Sequence, residues 1–356
     1  MPTGHTWPCE WLESVDRLTG YPVRKLTNYP SSKSLHFYFH DPSFTRDGRW
    51  FVFASDRSGT FELFAMRTDT GEIIQLTDSG VAAGWVSQRT GCVYYWVGPE
   101  VHSVDIDTLE NRTIGVLEGA SPASSPSENA DGSLLAFFGK TPNGHAIYTM
   151  RKSDGDVNPV FETSGRPGHV QCSPVDPDLI MHCDSTTPDG TAKQRIWLLS
   201  TDGLRHWHPY TETPQEWLTH ESWLATTGDI LTTYWPHGVM RMRTDGSEVH
   251  LVAHINAQYA VASPDGRYCV VASAFPDRGI FLADMETGRM CLVHGPCTAP
   301  FDEPHAQPAP TFSPDGRLIV FGSEWEGAPN VYQVDIGPAL EMPDAWWKPD
   351  FVWPRW

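Results

Sequence analysis

The feature that most restricts this chain is a repeat. A phrase of the form S-x-D-G-(R/S), followed by an apolar run, occurs at 43–55 (SFTRDGRWFVFAS), 130–138 (ADGSLLAFF), 262–273 (ASPDGRYCVVAS) and 312–323 (FSPDGRLIVFGS). Weaker copies lie at 87–96, 173–183 and 224–235. Their turn residues are Gly48, Gly91, Gly132, Asp178, Gly228, Gly266 and Gly316, spaced 38 to 50 residues apart. Each unit holds a second turn, such as TDTGE (68–72), SDGD (153–156), TDGS (244–247) or METGR (285–289). Asp-Gly and Thr-Gly between apolar runs mark hairpins, because glycine accepts the positive φ these turns need. Two hairpins make four strands, and four-stranded units at this period are the signature of a β-propeller.

The expected fold is therefore all-β, a seven-bladed β-propeller of four-stranded blades in a single domain. The blades fall at about 29–78, 79–115, 116–160, 161–212, 213–252, 253–296 and 297–338. Before the first unit, PVRKLTN (22–28) matches EIIQLTD (72–78), the fourth strand of blade 1, and not any first strand. Residues 22–28 are thus expected to supply the outer strand of the last blade and close the ring. The tryptophan-rich tail, 339–356, is expected to pack Trp346, Trp347 and Trp353 on the outside.

Composition narrows the function classes. With 356 residues, 40% of them hydrophobic, the chain can bury a large core and is not disordered. A formal net charge of -19 repels phosphate backbones, so no nucleic-acid partner is expected. No apolar run approaches the roughly 20 residues of a membrane helix, and no export signal is visible at the start. Seven cysteines without a CxxC pair then read as reduced thiols. These features suit a cytoplasmic protein with no membrane partner.

Equivalent places in a repeat land at equivalent places in the ring. The residue eight or nine positions before each turn lies where the inner strand begins, near one mouth of the central channel. Those residues are His40, Ala83, Ser124, His169, His220, Gln258 and Gln307, with His305 two residues before the last. A single histidine there usually bonds a neighbouring blade. Several converging on one mouth suggest ligand binding or proton transfer, since imidazole binds metals and titrates near neutrality. The chain has no G-x-S-x-G elbow, H-E-x-x-H, G-x-G-x-x-G or P-loop, which removes the chemistries those motifs serve.

Several segments together resemble oligogalacturonate lyases, the propellers of polysaccharide lyase family 22. They are FHDPSFTRDG (39–48), Gly168-His169 followed by Pro174, Arg195-Ile196-Trp197, Leu218-Thr219-His220-Glu221-Ser222-Trp223, and the last-blade phrase at 310–332. The T-H-E and R-x-W elements are the specific ones. The resemblance implies that His220 is a catalytic base and Arg195 faces the substrate carboxylate. His40, His169, Gln258 and Tyr259, at or beside the mouth positions, are the expected substrate-binding residues. The resemblance also implies a manganese ion, held by a histidine before the sixth-blade turn and a Q-x-x-H-x-H-P stretch before the last blade. This sequence departs there. The sixth-blade position reads Gln258-Tyr259, and the last stretch reads Asp302-Glu303-Pro304-His305-Ala306-Gln307-Pro308. With two residues inserted before Phe312, Asp302, His305 and Gln307 take the three ligand places for Mn²⁺ or another divalent cation. Without a gap the places fall on Pro304, Gln307 and Ala309, and the site is lost.

The resulting expectation is an oligogalacturonate-lyase-like lyase that cleaves short uronate-containing oligosaccharides by β-elimination, and the altered metal segment leaves room for a uronate other than digalacturonate. Two other readings stand beside it. One is a non-catalytic, TolB-like propeller that only binds. The other is an epimerase or glycosidase on the same scaffold, and for hydrolysis the available carboxylates are Glu221, Asp184 and Glu303.

Overall fold

The computed structural model describes residues 2–185, 194–274, 278–295, 308–324 and 326–347. Within them lie seven small antiparallel sheets, the blades of a seven-bladed β-propeller. Their inner strands are Ser34–His36, Trp85–Val86, Ser127–Glu128, Arg166–Cys172, Leu218–Trp223, Ala257–Ala262 and Thr311–Phe312. In blade 3 the inner strand is broken, and both Ser121–Pro122 and Ser127–Glu128 pair with Leu134–Thr141.

The ring is visible in how the core divides. One apolar cluster joins blades 1 and 2 through Val52, Leu63, Val86 and Val93. Similar clusters lie between the successive pairs up to blades 6 and 7. The last joins blade 7 back to blade 1, packing Val320 and Val331 on Phe51 and Phe64. Each blade is covered on both faces, which explains its sequence. The strand Trp50–Ser55 is buried at every position but the first. Its apolar run is continuous where a half-exposed strand would alternate. The turns between first and second strands hold left-handed glycines, with φ of +74° at Gly266 and +72° at Gly316.

The ring closes as expected, through Pro22–Lys25, which pairs with the third strand of blade 7 at Val23↔Val334 and Lys25↔Tyr332. The N-terminal stretch adds what the repeat did not announce. Leu12–Val15 pairs outside Pro22–Lys25, and Thr6–Trp7 pairs outside Ile73–Ile74 of blade 1. Blades 7 and 1 therefore have five strands where four were expected, and one short stretch spans both sides of the seam. After blade 7 come a short helix, Gly337–Glu341, and the tail. Trp346 is buried beside Tyr268, while Trp347 is exposed and exchanges backbone hydrogen bonds with Met290 of blade 6. Trp353 lies outside the described residues. No helix among the described residues is long and apolar enough to cross a membrane.

Candidate active site

Two of the inner strands carry the same irregularity. In blade 4 the register shifts between Gly168 and Gln171, and in blade 5 between Thr219 and Ser222. Each shift is a bulge, with two residues facing one on the partner strand. The first bulged residues are His169 and His220, whose φ values are +46° and +55°. A left-handed β-strand histidine is strained, and such strain persists only where the surroundings enforce it. At His220 they do, because Thr232 and Thr233 both donate their hydroxyls to the Thr219 carbonyl. Blade 6 shifts at the matching place, Gln258, between Ala257 and Tyr259.

The two bulged histidines meet a third, His40, from the turn after the inner strand of blade 1. The His40 and His169 rings lie 5.1 Å apart between centroids, and His169 and His220 lie 5.9 Å apart. Phe39 packs edge-on against all three, at 5.0, 5.8 and 5.7 Å. Tyr259 is only 1% exposed and lies 4.3 Å from the His220 ring, so it is a wall behind the histidine. Gln258 is half-buried on its bulge.

At the centre stands Glu221, which is fully buried. Arg195 Nε donates to its Oε1 at 2.6 Å and Nη2 to its Oε2 at 3.5 Å. His169 Nδ1 reaches Oε2 at 2.7 Å. Burial alone would raise the Glu221 pKa, but the Arg195 charge and the His169 bond outweigh it and hold the group well below the carboxylate range. A carboxylate can only accept, so His169 Nδ1 carries the proton and Nε2 of the neutral ring is left as an acceptor. Burial pushes the His169 pKa down against the pull of Glu221. It also pushes His220 down, to about 4, with His169 and Arg195 adding to the effect. His220 Nδ1 is buried without a hydrogen-bond partner. Arg195 shows the opposite balance, since Glu221 more than offsets its desolvation and raises it. Its Nη1 has no acceptor among the described residues.

Of these groups His169 and Arg195 border a cavity of about 770 Å³, walled also by Tyr38, His40 and Arg166, with Ala83 and Ser124 from blades 2 and 3. Four of the seven positions expected at this mouth thus face one cavity. His220 stands behind His169 and is not part of that wall. His40 Nδ1 lies 2.8 Å from Asp41 Oδ1, both nearly buried. Sequence reasoning singled out Glu221 only as a hydrolytic carboxylate. A buried group already held by Arg195 and His169 is not free for that work, and Glu303 lies outside the described residues.

The expected ligands Asp302, His305 and Gln307 also lie outside the described residues. Among the described ones, His169, Cys183 and Glu221 bring ligand atoms within 4.8 Å of one another. That set does not suit manganese, which prefers oxygen donors to a thiol, and the adjacent guanidinium would repel a cation.

No family model matches the chain. It is 22% identical over 383 residues to the oligogalacturonate lyase of Dickeya dadantii, covering 94% of this chain and 96% of that protein. It is 21% identical to the oligogalacturonide lyase of Pectobacterium atrosepticum, covering 98% and 100%. Among solved structures, an oligogalacturonate lyase in complex with manganese superposes with a TM-score of 0.87 at 20% identity, covering 96% of this chain and all of that one. The oligogalacturonate lyase of Vibrio parahaemolyticus gives 0.85 at 19%, covering 95% and 100%. Over nearly its whole length, then, this chain resembles the oligogalacturonate lyases and has their seven-bladed propeller fold.

Proposed function

We propose that this protein is a lyase that cleaves a short 4-linked uronide by β-elimination. The observation that carries the reading is the grouping of Arg195, Glu221, His169 and His220 at one mouth of the propeller. Removing the proton at C5 of a uronate means building charge on the neighbouring carboxylate. A guanidinium can stabilise that charge through a planar pair of N–H groups. Glu221 occupies the Nε edge of Arg195, which leaves the Nη1 end for the ligand carboxylate. His220, neutral because burial holds its pKa near 4, takes the proton as general base. The C4–O bond then breaks, the C4–C5 double bond forms, and solvent protonates the departing oxygen. His40 and His169 would contact the sugar, and Gln258 would line the approach to His220. Arg166, exposed on the cavity wall, adds positive charge on a chain of net charge -19.

A specific observation favours a second assignment of the base. His169 faces the cavity and is aligned by Glu221, as a catalytic imidazole is aligned by a carboxylate. In that assignment His169 Nε2 takes the proton and His220 supports it. The variants His220→Ala and His169→Ala separate the two, since loss of the true base should cost at least about 100-fold in kcat.

The first test is a mass-spectrometric product screen on a panel of uronate disaccharides, with and without Mn²⁺. The expected product has unchanged summed mass and a new unsaturated sugar, and it disappears with Arg195→Ala. A gain of one water would indicate hydrolysis, and no turnover on any uronide would leave a protein that only binds. The pH profile gives a further check. A base must be unprotonated to act, and both candidate histidines have lowered pKa values. kcat/KM should therefore stay level as the pH falls through 6.5, and decline only in more acid solution. An acid limb at 6.5 or above would mean that neither buried histidine is the base.

A further inference from the structure

Trp217 and Trp235 are 56% and 38% exposed and touch each other edge to face, with ring centroids 4.9 Å apart. Both lie on blade 5, at the end where Leu218–Trp223 begins and Ile230–Tyr234 stops, which is the end that carries His220. The backbone N–H of Trp235 donates to the Trp217 carbonyl at 2.9 Å. Exposed as they are, the rings are firmly mounted. Glu216, next to Trp217, accepts hydrogen bonds from the Tyr210 hydroxyl at 2.7 Å, the Tyr234 hydroxyl at 3.3 Å and the Thr213 N–H at 2.8 Å. The turn leading to Trp217 is thereby fixed. It is also tied to the candidate site, because the buried Glu212 carboxylate accepts the backbone N–H of both Arg195 and Leu218.

Two tryptophans held rigidly in water, at the end of the blade that carries His220, need an account. From these contacts we infer that Trp217 and Trp235 form a stacking platform for a pyranose ring beyond the two residues at the cleavage point, so that the protein favours longer oligosaccharides. An indole face matches the C–H face of a pyranose and leaves the sugar hydroxyls in water. A protein partner fits less well. Two half-exposed indoles offer roughly 200 Å² between them, far below the about 800 Å² per side of a stable interface. The inference rests on the lyase reading for the identity of its ligand. A ring stacked there touches none of the groups assigned to the reaction, so it should act on KM and leave kcat alone.

The test compares α-1,4-linked di- and tetragalacturonate with the wild-type protein, Trp217→Ala and Trp217→Phe, by steady-state kinetics and by saturation-transfer NMR. Wild type should show a KM about ten-fold lower for the tetramer than for the dimer. Trp217→Ala should lose that gain with kcat on the dimer unchanged, and Trp217→Phe should keep most of it. A length gain that survives in Trp217→Ala, or none in wild type, overturns the platform and leaves the lyase reading in place. Length-dependent binding that needs Trp217, without turnover, upholds the platform and sinks the lyase reading. Binding of neither sugar overturns it, as does self-association abolished by Trp217→Ala.

Discussion

Glu221→Ala should lower folding stability by about 3–5 kcal/mol and abolish turnover, because it leaves the Arg195 guanidinium buried without its counter-charge. The Arg195 side chain is 18% exposed and that of Glu221 is not exposed at all. Water can therefore do little for what remains after the truncation. Two further losses follow from the same change. His169 loses the acceptor on Nδ1 that fixes its proton, and Arg195 loses the edge contact that aims Nη1. Glu221→Gln separates charge from shape. It keeps an acceptor for His169 but removes the negative charge, so it should cost less stability than alanine while still depressing kcat. The pH dependence has a definite sign. The folded-state pKa of Glu221 is lowered, so its contribution is fully present above the ordinary carboxylate range. It is lost only as the pH falls through the lowered value. Denaturant unfolding of the three proteins, with turnover on the same preparations, checks these expectations. An alanine variant as stable as wild type would mean that the pair is hydrated in solution.

The fold could be read from the chain because its determinants are local and repeated. The turn phrases at Gly48, Gly132, Gly266 and Gly316 need only a few neighbouring residues to specify a hairpin, and repetition supplied the rest. The closing strand was legible for the same reason, through the likeness of 22–28 to 72–78. Thr6–Trp7 and Leu12–Val15 were not, since one has two residues and the other is exposed at every position. Nothing in such segments distinguishes an edge strand from a loop. The gathering of His40, His169 and His220 was legible because equal offsets in a repeated unit end at one place in the ring. The pairing of Glu221 with Arg195 and His169 was hidden by a rule that usually holds. Neighbours on a strand point to opposite faces, so a carboxylate directly after a mouth histidine reads as facing away. The bulge at His220 breaks that alternation, and no sequence signal marks a bulge at a non-glycine residue. The burial of Tyr259 was hidden for a related reason, since only the packing of Phe39 and His220 around it, and no local signal, produces it.

The seam between blades 7 and 1 yields the other large effect, and it should be asymmetric. Arg57 is fully buried and donates from Nη1 to Glu10 Oε1 at 2.7 Å. Around its guanidinium stand Phe53 at 5.1 Å, Phe64 at 5.2 Å and Trp7 at 5.9 Å. Burial lowers the Arg57 pKa despite Glu10, a sign of how much its charge depends on that partner. Glu10 lies between the two added strands and also accepts the backbone N–H of Asn28, just past the closing strand. One carboxylate therefore ties blade 1, the N-terminal stretch and the closing segment together. Glu10→Ala strands a buried cation and should cost about 3–5 kcal/mol. Arg57→Met leaves a carboxylate whose side chain is 10% exposed, against none for Arg57, and which keeps its Asn28 bond, while methionine fills the aromatic box, so a smaller cost of about 1–2 kcal/mol is expected. The double variant should then be more stable than Glu10→Ala alone, because removing the cation removes the penalty. Chemical unfolding of the three variants measures the order, and hydrogen exchange should show the loss in blades 1 and 7 first. Equal costs for the two single variants would mean that Arg57 finds water when Glu10 is gone, and the seam would then owe its strength to strand pairing alone.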